Sequence, residues 1–299
     1  MAIPYITNNI SDIIQDKEVD AVVIASPPQS HHDYFMQFLH AGRHILLEKP
    51  SSISLKDLDE MINESGNYPD LVICDCSCRH SRLQPKFRFV KKVIDSGELG
   101  DVYYIHHNSV ARQSRPGIEY NPDAKWFLNK QIAGAGPLID WGVYDLSFHL
   151  GVLSDVPQFV SSETLFKANK LDRTDPGTSV YDVEEHFAVS MRFNNGLNYY
   201  WERAAHANNE APNETRIYGT HGGLKLQYCT WDSPKVELFG LEKGINGKAT
   251  KTLHEIDMKD HTDDGYELTV HFLNCIEKKE KPMMPLKLAR KHLEIILKI

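Results

Sequence analysis

Two short apolar runs, each stopped by a proline-containing turn, constrain the fold of this 299-residue chain more than any other feature. Ala21 to Ala25 (AVVIA) is continuously apolar, as a parallel strand buried on both faces should be, and Ser26-Pro27-Pro28 ends it. The second run, His44 to Glu48, stops at Lys49-Pro50. Between them Ser30 and Asp33 have the spacing of a capping box, apolar residues recur at Phe35, Phe38 and Leu39, and Gly42 supplies a C-terminal stop. That pattern predicts a helix. Two strands joined by a helix lie parallel with a right-handed crossover, so Ser26-Pro27-Pro28 and Glu48-Lys49-Pro50 emerge at the same carboxyl edge. Ligands of open α/β sheets bind at that edge.

The alternation continues. Ser54 and Asp57 repeat the capping spacing and open a helix running toward Gly66; a strand over Leu71 to Cys78 and a helix from Pro85 to Ser96 follow. After Asp101 the texture changes to alternating strands such as Val102 to His106, Glu185 to Phe193, Leu197 to Trp201 and Thr215 to Tyr218, with turns at Asn194-Asn195-Gly196 and Gly219 to Gly223. Helices are expected over Pro137 to Leu150, Tyr266 to Lys278 and Leu286 to Lys298. The expected architecture is α/β plus α+β: a parallel, Rossmann-type first domain over residues 1–101, then a second domain over 102–299 built on a mostly antiparallel open sheet with helices.

With 41 acidic against 33 basic residues and a net charge of -8, the chain is poorly suited to gripping nucleic acid or an anionic membrane. No apolar run approaches the ~20 residues a membrane span needs, and the N-terminus lacks the basic and apolar regions of a signal peptide. A cytoplasmic location is the expectation. Five cysteines make a disulfide framework improbable for this length. On a strand, Cys74, Cys76 and Cys78 share one face and read as small buried hydrophobes; structural zinc sites space their cysteines differently and need a fourth ligand, so no metal is expected.

Two segments carry candidate chemistry. Glu48-Lys49-Pro50 places a lysine at the functional edge of the sheet, although a strand-ending lysine taken alone is more often just solvated. The second is Gly134-Ala135-Gly136-Pro137-Leu138-Ile139-Asp140-Trp141-Gly142-Val143-Tyr144-Asp145. If Pro137 sits in the first turn of a helix, Asp140 and Tyr144 stand at i and i+4 on one face, a carboxylate beside a phenol it can orient for proton transfer. A core tyrosine with an acidic residue near the helix N-terminus explains the same pattern equally well.

Together these segments resemble the Gfo/Idh/MocA family along almost the whole chain. The matching features run in family order: Val19 to Pro28 followed by His31, Ala41 to Pro50, Gly97-Glu98-Leu99-Gly100-Asp101-Val102, Gly134 to Asp145, Arg192-Phe193-Asn194-Asn195-Gly196, and Ile217 to Leu224. The resemblance implies an oxidoreductase that uses NAD or NADP on a sugar, polyol or related hydroxy compound. It puts Lys49 on the reacting substrate oxygen and Asp140 and Tyr144 in the acid/base places, with tyrosine instead of histidine as in the glucose-fructose oxidoreductase and dihydrodiol dehydrogenase branch. It also implies cofactor contacts from Ser26, Pro27, His31, Glu48, Lys49 and Pro50. Lys125 and His149 are weaker candidates for contacts to the sugar, and a homodimer or homotetramer is the expected assembly.

The departure from the family lies at the front. The family opens with a strand, a GxGxxG turn and a helix, then a second strand whose end reads the ribose; no GxGxxG occurs here, and Met1 to Asn8 aligns with the family's third strand. The amides that would hold a pyrophosphate are therefore missing. The expectation is an N-terminally truncated Rossmann sheet in which Ala21 to Ala25 loses its neighbour, leaving an apolar edge for residues near Pro4 to Thr7 or a partner chain to cover. A non-catalytic sensor or binding protein of the same fold, or an inactive fragment, stands as the alternative to an active enzyme.

Overall fold

A computed structural model describes residues 5–112, 121–169, 171, 177–209, 211–242 and 247–299. After the short helix α1 (Ile10–Gln15), the chain alternates β1 (Ala21–Ile24), α2 (His31–His40), β2 (His44–Leu47), α3 (Leu55–Ser65), β3 (Ile73–Asp75) and α4 (Pro85–Asp95). The three strands form one parallel sheet in the order β1-β2-β3, with Ala21 opposite His44 and Ile45 opposite Ile73. Both crossovers follow from the sequence signals, with a difference at one of the two capping turns. Ser54 caps α3 by accepting from the Asp57 amide at 3.3 Å. Ser30 does not cap α2; a 3-10 turn over Pro28–Ser30 precedes the helix, and the Ser30 hydroxyl turns to Ser26 Oγ at 2.7 Å.

The strand expected over Leu71 to Cys78 is cut short at Asp75, whose carboxylate accepts from the Ser77 amide at 2.7 Å and bends Cys76–Cys78 into a 3-10 turn. The alternation of faces ends there, yet all three cysteines remain buried.

The second sheet has eight strands: β4 (Val102–Arg112), β5 (Phe159–Ala168), β6 (His186–Phe193), β7 (Asn198–Ala207), β8 (Glu214–Gly219), β9 (Gly223–Leu226), β10 (Lys235–Leu241) and β11 (Ala249–Glu255). Their order is β11-β10-β9-β8-β4-β7-β6-β5, antiparallel throughout except for the parallel pair β4 and β7. The sheet is open, with β5 and β11 as its edges. Helices α5 (Lys130–Ala133), α6 (Pro137–Asp140) and α7 (Gly142–Gly151) lie between the sheets, and α8 (Asp264–Ile276) and α9 (Leu286–Leu297) close the chain. This is the expected combination of a parallel sheet and a mostly antiparallel open one.

One continuous apolar cluster runs from Leu39, Ile45 and Leu47 through Leu138, Tyr144 and Phe148 to Phe187, Tyr199 and Trp201. Truncating any of its fully buried leucines to alanine costs about 2–5 kcal/mol. A second cluster joins Leu46, Cys74 and Cys78 to Phe272, Cys275 and Met284, so the two C-terminal helices pack on the first sheet. The Asp75 amide donates to the Met284 carbonyl at 3.0 Å and thereby covers the β3 edge. Among the described residues the β1 edge is open: Val23 is 63 % exposed, and Tyr5 to Asn8 form no strand beside it. Residues 1–4, the rest of the segment aligned with a family strand, lie outside the described residues. Among the described residues no helix is long and apolar enough to cross a membrane.

Candidate active site

The carboxyl ends of β1 and β2 open into a cleft of about 230 Å³ lined by Ser26, Glu48, Lys49, Pro50 and Asp140, with Arg79 beside them and Trp126, Phe127 and Ile139 forming an apolar wall. The glycine-rich turn delivers Asp140 to it. Gly134 adopts φ +89°, a left-handed conformation strained for any side chain, and a Cβ at Gly136 would overlap the Glu184 carbonyl oxygen. Glu184 in turn accepts from the Leu138 amide at 2.9 Å and pins the start of α6.

The helix read over Pro137 to Leu150 breaks at Trp141, which separates α6 from α7. The Trp141 carbonyl accepts from both the Tyr144 amide (2.9 Å) and the Asp145 amide (3.1 Å). The Asp140 carbonyl, which would serve Tyr144 in an unbroken α-helix, is released and accepts instead from Lys49 Nζ at 2.8 Å. The same ammonium makes a short ion pair with the Asp140 carboxylate. The carboxylate thus meets Lys49 and not the phenol.

Tyr144 is held by a residue that the strand-and-motif reading passed over. Arg79 Nη2 donates to the Tyr144 hydroxyl at 2.7 Å, and Arg79 Nη1 pairs with Glu48 Oε1 at 2.7 Å. Lys49 Nζ lies 5.1 Å from the centre of the Tyr144 ring. Burial pushes the phenol pKa well above its ordinary value, while the Arg79 charge pulls it back. A signal for Arg79 was present: it follows the third parallel strand as Lys49 follows the second, at the same sheet edge.

The remaining sequence candidates divide. Ser26, Glu48, Lys49, Pro50 and Asp140 line the cleft, whereas Pro27, His31, Lys125, Tyr144 and His149 are not among its lining residues. His31 is fully buried, its ring nitrogens 2.9 Å from the Pro50 carbonyl and 2.8 Å from the Ser26 carbonyl, so it ties together the two turns that form the cleft floor. Burial lowers its pKa against the pull of those carbonyls. Lys125 reaches the Gly177 carbonyl at 2.9 Å.

His149 belongs to a buried polar network under α7, bonded to the Tyr199 hydroxyl at 2.6 Å and to Thr215 Oγ1 at 2.9 Å. At its centre Asp145 accepts from Arg203 (two bonds of 2.7 Å), the Trp201 indole (2.9 Å) and the Tyr228 hydroxyl (2.6 Å). Away from the cleft, Cys74, His271 and Cys275 bring potential metal-binding atoms within 4.8 Å of one another. There His271 Nε2 accepts from the Met283 amide at 3.0 Å and Nδ1 pairs with Glu280 at 2.6 Å.

Comparison with known proteins bears on this arrangement. Residues 2–72 match the profile of an oxidoreductase family with an NAD-binding Rossmann fold, and residues 87–225 match the GFO/IDH/MocA C-terminal domain. The chain belongs to the Gfo/Idh/MocA oxidoreductase family. This family member is 26% identical over 186 residues to D-glucoside 3-dehydrogenase of Escherichia coli (strain K12), a match covering 59% of this chain and 49% of that protein. It is 23% identical to trans-1,2-dihydrobenzene-1,2-diol dehydrogenase of Xenopus laevis, over 95% of this chain and 78% of that one. The chain thus spans about half of the first relative and more of the second. Among solved structures, levoglucosan dehydrogenase in complex with NADH and levoglucosan superposes with a TM-score of 0.78 at 17% identity, covering 98% of this chain and 80% of that one. That likeness establishes the shared fold.

Proposed function

We propose that this family member moves a hydride between a nicotinamide ring, carried by NAD or NADP, and a carbon of a sugar, polyol or related hydroxy compound. One observation supports this reading above the others: a lysine paired with a carboxylate and a phenol held by a guanidinium converge at the carboxyl edge of a parallel sheet.

The chain's residues fit the nicotinamide end of such a cofactor. Ser26, Glu48, Lys49 and Pro50 line one side of the cleft, and Pro27 adjoins it. These residues bear on the nicotinamide end of the cofactor alone. The nicotinamide, when bound, supplies or accepts the hydride; every other role falls to the chain.

An ammonium has three N–H donors, and Lys49 gives two to Asp140, which leaves the third for a substrate oxygen on which negative charge develops. Asp140 sets the position of that donor. The Tyr144 oxygen accepts from Arg79, so its own proton is free of that bond; the ring is buried behind the cleft lining, and the proton passes to a substrate oxygen that inserts beside Lys49, whose Nζ lies 5.1 Å from the ring centre. Burial keeps the phenol protonated across the neutral range, which makes it the proton donor when a carbonyl is reduced. In the oxidising direction Tyr144 receives the hydroxyl proton as phenolate, stabilised by Arg79. Trp126, Phe127 and Ile139 keep water from the reacting atoms.

Titrating the chain with NADH and with NADPH while following nicotinamide fluorescence tests the cofactor assignment. Saturable binding of at least one is expected, and no saturable change with either overturns it. A second reading, a sugar-binding sensor without turnover, is favoured by the burial of Tyr144 away from the cleft lining; cofactor-independent sugar binding with no hydride transfer supports it. Self-association through the open sheet completes the proposal, since Val160, Leu165 and Phe166 on β5 and Leu253 on β11 are left exposed.

A further inference from the structure

Trp231 is 60 % exposed, the most exposed of the tryptophans and close to the candidate active site. Its ring lies 5.1 Å from that of His80 and 5.8 Å from that of Trp141, edge to face with both. His80 is in turn 4.8 Å from the Tyr144 ring, and Trp141 directly follows Asp140. Two ring-to-ring steps therefore separate Trp231 from the phenol assigned to proton transfer, a separation on the scale of a sugar residue and its neighbour.

The loop that carries Trp231 is fixed with unusual care for a surface segment. Lys86, which is fully buried, sends its ammonium to the carbonyls of Gln227 (2.9 Å), Cys229 (a short contact) and Ser233 (3.3 Å). Gln84 Nε2 donates to the Tyr228 carbonyl at 2.7 Å, and the Thr230 hydroxyl donates to Asp264 at 2.8 Å. Asp264 also holds His80 at 2.5 Å and His261 at 2.7 Å, so one carboxylate registers the loop against the His80 ring. Burying an ammonium is costly, and here three loop carbonyls sustain it. The net effect is to hold a large apolar ring rigid and in solvent, the opposite of what core packing would favour, and the arrangement of a preorganised stacking surface.

Building on the proposed sugar oxidoreduction, we infer that Trp231 is a stacking subsite for a second, neutral carbohydrate ring, so that the substrate is a glycoside or disaccharide whose reacting ring lies at Lys49 and whose neighbouring ring lies on the indole. The C–H face of a pyranose packs on an indole, and His80 and Trp141 bound the surface from the side. No charged recognition is required of the second ring.

The test is equilibrium binding to the whole chain without cofactor, so it does not depend on turnover. Glucose, cellobiose, maltose and lactose are titrated by calorimetry into the wild-type protein, Trp231→Ala and Trp231→Phe. At least one disaccharide should bind the wild type more tightly than glucose does; Trp231→Ala should weaken it by about tenfold while leaving glucose binding unchanged, and Trp231→Phe should restore most of it. A wild type with no preference for any of the disaccharides overturns the inference. So does a Trp231→Ala variant that keeps the preference, or one that loses glucose and disaccharide binding alike. Loss of hydride transfer with the disaccharide preference intact would instead count against the proposed reaction alone.

Discussion

Arg79 Nη2 donates to the Tyr144 hydroxyl across 2.7 Å, while its other terminal nitrogen is bound to Glu48, the residue next to Lys49. The guanidinium therefore couples the lysine-bearing turn to the phenol on α7. It also lowers the cost of forming phenolate in a buried position.

Arg79→Gln removes the positive charge and keeps a donor. Burial raises the Tyr144 pKa and Arg79 opposes that rise, so the substitution moves the pKa higher still. In the oxidising direction, where Tyr144 must be deprotonated, the rising limb of the pH profile should shift to higher pH, with kcat at neutral pH falling by about tenfold or more. A profile unchanged in position would show that Arg79 does not act through Tyr144.

Asp145 is fully buried and is the only carboxylate bonded to Arg203 among the described residues. Burial alone would raise its pKa, but Arg203 and His107 hold it well below the usual carboxylate range. A depressed carboxyl contributes stability that is present above its unfolded pKa of ~4 and is lost as the pH falls through the lower folded value. At pH ~7 that contribution is complete. Asp145→Asn leaves a buried guanidinium without its counter-charge and should cost about 3–5 kcal/mol in urea unfolding. A loss below about 1 kcal/mol contradicts this reading.

His31, His149 and His292 all have pKa values lowered first of all by burial. For His149 the neighbouring His107 and Arg203 reinforce the effect, and for His292 Arg82 and Lys291 do. The unfolded chain takes up protons below pH ~6.5 and the folded one does not, so stability is full above that pH and is lost on acidification. Each such histidine adds a slope of about 1.4 kcal/mol per pH unit until its folded pKa is reached. Stability measured from pH ~7 down to ~5 should fall with this slope, and His149→Gln should flatten it; a flat profile in the wild type is the contrary result.

Much of the frame was legible in the sequence because its signals are local. Val22 to Ile24 and Ile45 to Leu47 are short apolar runs ended by proline turns, and the βαβ handedness then dictates which edge carries Lys49. Ser54 met its cap for the same reason. What could not be read depended on contacts distant along the chain. The break at Trp141 accompanies Gly142, where a Cβ would overlap the Trp201 indole from β7, and it changed the partner of Asp140 from Tyr144 to Lys49. Arg79 and Trp231 come from segments separated by about half the chain, and only the packing of α4, α7 and α8 brings them to one place. His149 carries a polar ring that suits a sugar pocket, but its place on the buried face of α7 directs it to Tyr199 and Thr215 instead.

The most direct test of the account is hydride transfer by the wild type, Lys49→Ala and Tyr144→Phe, followed by nicotinamide absorbance with a panel of sugars and glycosides and with circular dichroism to confirm folding. Turnover by the wild type with NAD or NADP is expected, with losses of about two to four orders of magnitude in each variant and the fold intact. Undiminished turnover in both folded variants would contradict it.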